Sequence, residues 1–176
     1  MKDRNFAFTV ADIGLIHLMM PLNETLYKIA QLPTEDVIAK VNMTKCIAAS
    51  WGKIVGPYQR DSKTGKVNFR SESVPKTLQQ VAMSESQSCY SMDKGLTNKH
   101  FCAQVESQDG YRGPCDEDLG SPLLCESEGG KNVLMGLLTK ADYCDETSMN
   151  YGQPAVFTHV RKYMNWITSV MKMVTY

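Results

Sequence analysis

The segment Cys115-Asp-Glu-Asp-Leu-Gly-Ser-Pro-Leu-Leu-Cys125 is the most informative part of the sequence for predicting the fold. Its first half ends a polar, glycine-rich loop over residues 108–121, and its second half is the apolar run Pro122–Cys125. A second apolar run, Val133–Thr139, follows after Glu126-Ser-Glu-Gly-Gly130. Two apolar runs joined by a glycine-containing turn predict a β-hairpin.

Further short strands are predicted on both sides of this hairpin, and one helix follows them. The strand segments share apolar or alternating character, and they are Cys46–Trp51, Leu78–Ser84, Phe101–Val105 and Ala155–Val160. Met164, Ile167, Val170 and Met171 recur at helical spacing, which predicts an amphipathic helix over Tyr163–Met173. Several short strands followed by a single helix are typical of an all-β antiparallel barrel or sandwich.

Composition and charge exclude some classes of partner. The chain has 176 residues, of which 43% are hydrophobic and 22% charged, and its formal net charge is zero. These values are ordinary for one globular domain. Because there is no excess of basic residues, neither nucleic acid nor an anionic membrane surface is indicated as a partner. No apolar run reaches the roughly 18 residues of a membrane-spanning helix.

The six cysteines are an even number, and no two form a Cys-x-x-Cys pair. Separated cysteines in even number favour disulfide bonds and an oxidising compartment over a zinc site. Six reduced thiols in the core of a cytosolic protein remain the alternative. Residues 1–10 lack the apolar core of a signal peptide. A truncated gene model, or an isoform that begins internally, would reconcile this N-terminus with export.

Two asparagines lie in glycosylation sequons, Asn23-Glu-Thr25 and Asn42-Met-Thr44. Both fall in residues 23–45, a mixed segment that is predicted to be a surface connection. An exported chain could receive glycans at both positions, although such tripeptides also arise by chance.

A series of fragments, in order along the chain, resembles the trypsin/chymotrypsin-like serine protease family (peptidase S1). Cys115–Cys125 resembles the family's Cys-x-Gly-Asp-Ser-Gly-Gly-Pro-Leu-x-Cys, and Gln153–Val160 resembles Pro-Gly-Val-Tyr-Thr-x-Val. The other matching fragments are Ala11–Leu18, Cys46–Gly52, Leu78–Val81 followed by Cys89, Phe101–Ala103, Gly136–Cys144 and Tyr163–Ile167. Together they cover nearly the whole chain.

The resemblance implies an all-β fold that is part of a two-barrel domain spanning residues 1–176. Residues 46–160 would form the second, six-stranded antiparallel barrel, and residues 163–173 the C-terminal helix. Residues 1–22 would be a remnant of the first barrel, with one strand around Phe6–Leu18. The family pattern also pairs the cysteines as Cys46–Cys125, Cys89–Cys102 and Cys115–Cys144.

The resemblance places Asp12 at the position of the catalytic aspartate and Leu119 at that of the nucleophilic serine. A leucine side chain has no lone pair with which to attack a carbonyl group. Ser121 lies where the family has glycine, beyond the turn, and is not expected to take over. The family's histidine segment would precede the first residue of this chain. His17, His100 and His159 are expected to be surface or packed residues.

The substrate cleft also departs from the family pattern. Glu117 replaces a glycine that supplies an oxyanion donor, so its carboxylate would oppose a developing negative charge. Asp118 matches the aspartate that pairs with a newly cut N-terminus in activated relatives. The residues that correspond to the specificity pocket are Gly113, Thr139, Lys140, Ala141 and Ala155.

These departures predict a non-catalytic serine protease homologue, an exported and disulfide-bonded module that binds a protein partner. No cofactor or metal ion is implied. The alternative is a true serine endopeptidase of which this sequence is a truncated or defective version. A third reading is a truncated chain that folds poorly, since half of a two-barrel protein would expose an apolar interface.

Overall fold

A computed structural model describes residues 11–23, 25–52, 59–60, 63–64, 67–68, 74–92, 94–105, 113–141 and 154–174. Within these ranges the elements in chain order are α1 Glu35–Ile38, β1 Val41–Ser50, β2 Gln59–Arg60, β3 Val67–Asn68, β4 Gln79–Glu85, α2 Ser88–Met92, β5 His100–Val105, β6 Pro122–Ser127, β7 Asn132–Lys140, β8 Ala155–His159 and α3 Met164–Val174. Short 3-10 helices cover Asp116–Asp118 and Val160–Tyr163.

Six of these strands form a closed antiparallel barrel in the order β1-β4-β5-β8-β7-β6. The barrel closes because β1 pairs with β4 on one side and with β6 on the other. Cys46 of β1 lies opposite Met83 in the first pairing and opposite Cys125 in the second. The predicted antiparallel barrel with a C-terminal helix is therefore confirmed, and so is the β6–β7 hairpin.

The barrel interior is filled by side chains that alternate along each strand, as strand geometry requires. Met83, Leu123 and Phe157 have no solvent exposure. At Gly136 of β7, an added Cβ would lie 2.8 Å from the Cβ of Phe157 on β8. The two strands therefore approach too closely at this point for any other residue to fit without displacement.

Two of the predicted disulfides are confirmed. Cys46–Cys125 joins β1 to β6 inside the barrel wall, and Cys89–Cys102 joins α2 to β5. Cys115 is also disulfide-bonded, while its predicted partner Cys144 lies outside the described residues. Each such bridge contributes about 2–4 kcal/mol, largely by restricting the unfolded chain.

The remnant strand predicted around Phe6–Leu18 is wrong over residues 11–18, which form no strand. This segment is largely solvent-exposed, and Ile16 is 89% exposed. A strand requires ladder hydrogen bonds from a neighbour, and no strand of the described chain pairs with these residues. Phe6–Val10 lie outside the described residues.

The predicted surface connection over residues 23–45 contains α1 and the first residues of β1, so the barrel begins at Val41 rather than Cys46. A bulge between Val41 and Cys46 lets the strand reach Ser127 of β6. The guanidinium Nη2 of Arg161 lies 2.8 and 2.6 Å from the two carboxylate oxygens of Glu35, which joins α1 to the chain before α3. No helix in the described ranges has the length and apolar character needed to cross a bilayer.

Replacing Gly136 with alanine tests the close approach of β7 and β8. We expect Gly136→Ala to lower the free energy of unfolding by about 1–3 kcal/mol, because the new methyl group overpacks the core against Phe157. Gly14→Ala is the matched control, since an added Cβ there meets no atom within 4 Å. Chemical denaturation followed by circular dichroism measures both variants, and equal stabilities would contradict the packing described.

Candidate functional site

The turn before β6 is built around the buried carboxylate of Asp118, which is only 8% exposed. Its Oδ2 accepts the backbone N–H of Cys115 at 2.7 Å. Its Oδ1 accepts the backbone N–H of Gly52 at 3.0 Å. A buried charge is tolerated when it is hydrogen-bonded in this way, so Asp118 ties the turn to the chain that leaves β1.

Leu119 lies at the tip of this turn and is 55% exposed. Gly120 follows with φ of 86°, a left-handed conformation that glycine adopts without strain. The N–H of Gly120 donates to the carbonyl of Leu138 at 2.8 Å, and the N–H of Leu138 donates to the carbonyl of Ser121 at 2.8 Å. The backbone around Leu119 is thus held against β7.

The hydroxyl of Ser121 is engaged inside the turn. The Ser121 side chain is buried, and its Oγ donates a hydrogen bond to the carbonyl of Asp118. The N–H of Ser121 donates to the same carbonyl at 3.0 Å. This serine therefore stabilises the turn, and its hydroxyl proton is directed into the backbone.

Asp12 is attached to the barrel by two threonines. Thr139 of β7 donates a hydrogen bond from its Oγ1 to the Asp12 carboxylate. Thr158 of β8 donates from its Oγ1 to the Asp12 carbonyl oxygen at 3.1 Å. Burial raises the pKa of the nearby Tyr163 hydroxyl, and the negative charge of Asp12 raises it further.

These two threonines have positioning roles that the sequence did not reveal. The family resemblance assigns Thr139 to the pocket and gives no role to Thr158. Thr139 and Asp12 lie 127 positions apart, and no motif spacing connects them. Hydroxyl residues on β7 and β8, which pair side by side, are the only signal that points to this contact.

The remaining residues assigned to the pocket lie at or near the ends of three strands, β5, β7 and β8. Lys140 pairs with Val156, and buried Ala155 pairs with Ala103. Ala141 is partly buried against the core. A Cβ at exposed Gly113 would lie 3.3 Å from the Val105 side chain, so Gly113 sits close to the end of β5.

The three histidines occupy different environments. His17 is exposed. His100 is the first residue of β5 and is buried, and its Nδ1 accepts the N–H of Thr97 at 3.0 Å. His159 ends β8, and its ring lies edge-on to Phe101 at 5.7 Å between centroids. In the part of the chain that the structure describes, no group of three or more metal-ligating side chains is placed to hold a metal ion.

His159 borders a cavity of about 320 Å³, whose lining residues include Ile38, Met43, His100, Phe101 and Met135. Its Nδ1 is buried and finds no hydrogen-bond partner among the described residues. Burial lowers the pKa of the imidazole, and the positive charge of Lys162 lowers it further. The neutral form of His159 is therefore favoured in the folded chain.

Comparison with known protein families places the sequence in the class of trypsin-like peptidase domains. The family model described as Trypsin matches residues 2–167. The chain belongs to the trypsin family.

Several curated proteins are similar to the chain. Mouse atrial natriuretic peptide-converting enzyme is 28% identical over 89% of this chain and 12% of its own length. Rat trypsin V-A is 28% identical over 89% of this chain, and rat glandular kallikrein-10 is 30% identical over 92%. The chain spans about half, 54%, of the length of each of these two rat proteins.

The Gly52–Asp118 contact is tested by a double-mutant cycle. Asp118→Ala removes the carboxylate that accepts hydrogen bonds from the backbone N–H groups of Cys115 and Gly52, and Gly52→Ala places a Cβ in steric conflict with the Asp118 carboxylate. Each single variant is expected to lower the free energy of unfolding by about 1–3 kcal/mol. The combined loss should fall short of the sum by about 0.5–3 kcal/mol. Asp116→Ala, in the same 3-10 helix, is the control; strict additivity would contradict the contact.

Stability is expected to depend on the protonation of His159. Above pH 6.5, the ordinary pKa of a histidine side chain, both folded and unfolded chains hold a neutral imidazole. As the pH falls from 6.5 through the lowered pKa of the folded state, the unfolded chain binds its proton first. The free energy of unfolding then decreases by at most about 1.4 kcal/mol per pH unit.

His159→Gln should remove this component of the acid dependence, and Lys162→Met should reduce it, because Lys162 contributes to the lowered pKa. Denaturant titrations between pH 7.5 and 4.5, a window of about three units around the histidine range, measure the slopes. A wild-type slope equal to that of His159→Gln would refute the role of His159.

Proposed function

We propose that this chain is a non-catalytic member of the trypsin family, a pseudoprotease that acts by binding a protein partner outside the cell. The observation that carries the proposal is Leu119, an exposed hydrocarbon side chain at the position that corresponds to the nucleophilic serine. Acyl transfer in this family begins with attack by an oxygen at this turn. The hydrocarbon side chain of Leu119 has no oxygen that could make this attack, so acyl transfer could not begin.

Neighbouring groups do not supply a substitute nucleophile. The Ser121 hydroxyl donates into the Asp118 carbonyl, and it is buried within the turn. Glu117 is exposed and adds a carboxylate where the family places an oxyanion donor. A negative charge beside the site destabilises the oxyanion of a tetrahedral intermediate. These features support the loss of catalysis independently of any residues that precede the chain.

The scaffold around the lost nucleophile is intact, which favours a folded module over a decayed one. Asp12 remains hydrogen-bonded to Thr139, and Asp118 still organises the turn. We propose that the barrel over residues 41–159, together with helix α3, acts as the second barrel of a two-barrel domain, to which residues 1–22 connect.

Exposed apolar side chains beside the turn support a binding role. Trp51 is 62% exposed and Leu119 is 55% exposed. Trp51 precedes Gly52 in the chain, and Leu119 follows Asp118. Gly52 and Asp118 are hydrogen-bonded to each other, so Trp51 and Leu119 are attached to the same contact. Large apolar and aromatic side chains clustered at a surface are typical of protein interfaces. The disulfide bonds support an extracellular location, since they persist in oxidising compartments.

The loss of catalysis is tested with a fluorophosphonate probe that labels activated serines. We expect no labelling of the purified, disulfide-bonded chain, and no cleavage of a mixed peptide library above the level seen with Leu119→Ala. Trypsin serves as the positive control for both assays. An adduct on the wild-type chain, blocked by a serine protease inhibitor, would overturn the proposal.

An active endopeptidase is the second candidate, and the relatives named trypsin and converting enzyme favour it. Sequencing the natural transcript across codon 119 and upstream of Met1 separates the two. A serine codon at 119, together with an upstream histidine segment, would establish the endopeptidase.

The binding surface is tested by placing a charge at its centre. A partner that co-purifies with the wild-type chain from extracellular fluid should no longer co-purify with Leu119→Asp or with Trp51→Asp. Met173→Asp is the matched control, because Met173 is an exposed apolar residue on α3, away from the turn in sequence. Equal recovery with all three variants would contradict a binding role for Leu119 and Trp51.

A further inference from the structure

We propose that Asn23 and Asn42 both carry N-linked oligosaccharides. The proposal rests on the extracellular location argued above, and it assigns two modification sites on a part of the surface that the turn at Leu119 does not include. Sequons arise by chance in many sequences, so the inference depends on how these two are folded.

The two sequons have the same local geometry. At Asn23, the side-chain Oδ1 accepts the N–H of Thr25 at 3.0 Å and its Oγ1–H at 2.6 Å. At Asn42, the side-chain Oδ1 accepts the N–H of Thr44 at 3.0 Å and its Oγ1–H at 2.7 Å. All four residues are solvent-exposed.

This geometry presents the correct atom for modification. Since Oδ1 accepts both hydrogen bonds from the threonine, the carboxamide is held with its oxygen towards the chain. Nδ2 lies on the other side of the same planar group and therefore faces away from the threonine. In each sequon the third residue, a threonine, supplies both hydrogen-bond donors to the asparagine oxygen.

The covalent step has a lipid-diphosphate-linked oligosaccharide as its co-reactant. The Asn Nδ2 forms a bond to the anomeric carbon of the first sugar, and the bond from that carbon to the diphosphate oxygen breaks. The Nδ2 proton passes to a carboxylate base of the transferring enzyme, and the lipid diphosphate leaves with the bonding electron pair. The asparagine remains an uncharged amide.

The surrounding fold accommodates a large substituent at both positions. The Asn23 carbonyl accepts the N–H groups of Leu26 and Tyr27 at 3.0 and 3.2 Å, which forms an exposed turn. Asn42 lies in the β1 bulge between Val41 and Cys46, where the register with β6 shifts. Its side chain is exposed, whereas Met43 beside it borders the cavity. A glycan at either asparagine would therefore extend into solvent without entering the core.

The test is to express the full chain behind a cleavable leader in cultured mammalian cells and to read its electrophoretic mobility before and after peptide N-glycosidase. We expect two enzyme-sensitive steps for the wild type. Thr25→Ala and Thr44→Ala should each remove one step, and Asn23→Gln with Asn42→Gln should remove both. Thr25→Ser and Thr44→Ser are the matched controls, because they keep the hydroxyl and should keep the glycan.

Mobility is read in both the medium and the cell lysate, because a variant that is retained inside the cell still reports whether each sequon is occupied. Mass spectrometry of peptides after enzymatic release, which converts a modified asparagine to aspartate, assigns each site. Absence of an enzyme-sensitive step in the leader-bearing wild type, or occupancy of one sequon alone, would overturn the proposal. Probe labelling of the same preparations reports on catalysis separately, so either proposal can fail while the other stands.

Discussion

Strand β1 is paired on both of its sides, and the rest of the molecule depends on that double pairing. Antiparallel strands leave unpaired N–H and C=O groups at an open edge, and closure into a barrel removes both edges. Cys46 lies where β1 meets β4 and β6, and its disulfide to Cys125 makes one of these contacts covalent. With the barrel closed, Met83, Leu123 and Phe157 are removed from water. The chain leaving β1 also reaches Asp118 through Gly52.

The turn at Asp118 is held by contacts that do not involve the side chain of residue 119. The carboxylate satisfies two backbone N–H groups, and Gly120 supplies the left-handed residue that the turn requires. None of these contacts uses the side chain of residue 119, which is exposed to solvent. The side chain at position 119 can therefore vary without disturbing the barrel.

Membership of a family and possession of its reaction are accordingly different conclusions. The family match extends over residues 2–167, which is most of the chain. Catalysis depends on a few atoms placed within hydrogen-bonding distance of one another. Glu117, Leu119 and Ser121 occupy that small region, and their side chains offer a carboxylate, a hydrocarbon and an engaged hydroxyl. Trp51, beside them, and Leu119 are exposed to solvent.

The sequence by itself determined the strands near Cys46, Leu78, Phe101, Pro122, Val133 and Ala155, the C-terminal helix, and two of the cysteine pairs. The strands and the helix follow from short-range alternation and helical spacing, which are local properties of the chain. The cysteine pairs follow from the family resemblance, which rests on the order of motifs along the sequence. The leucine at position 119 is also read directly from the sequence.

Only the tertiary structure decided which groups meet. Gly52 and Asp118 lie 66 positions apart, and Asp12 and Thr139 lie 127 apart, so no local pattern joins either pair. The same holds for residues 11–18, where the family resemblance predicted a strand and the described part of the chain offers no ladder partner. It also holds for His159, whose burial and lowered pKa come from neighbours on other strands and on the chain that follows β8. Hydrogen bonding and burial are set by barrel closure, which brings together residues that are distant along the chain.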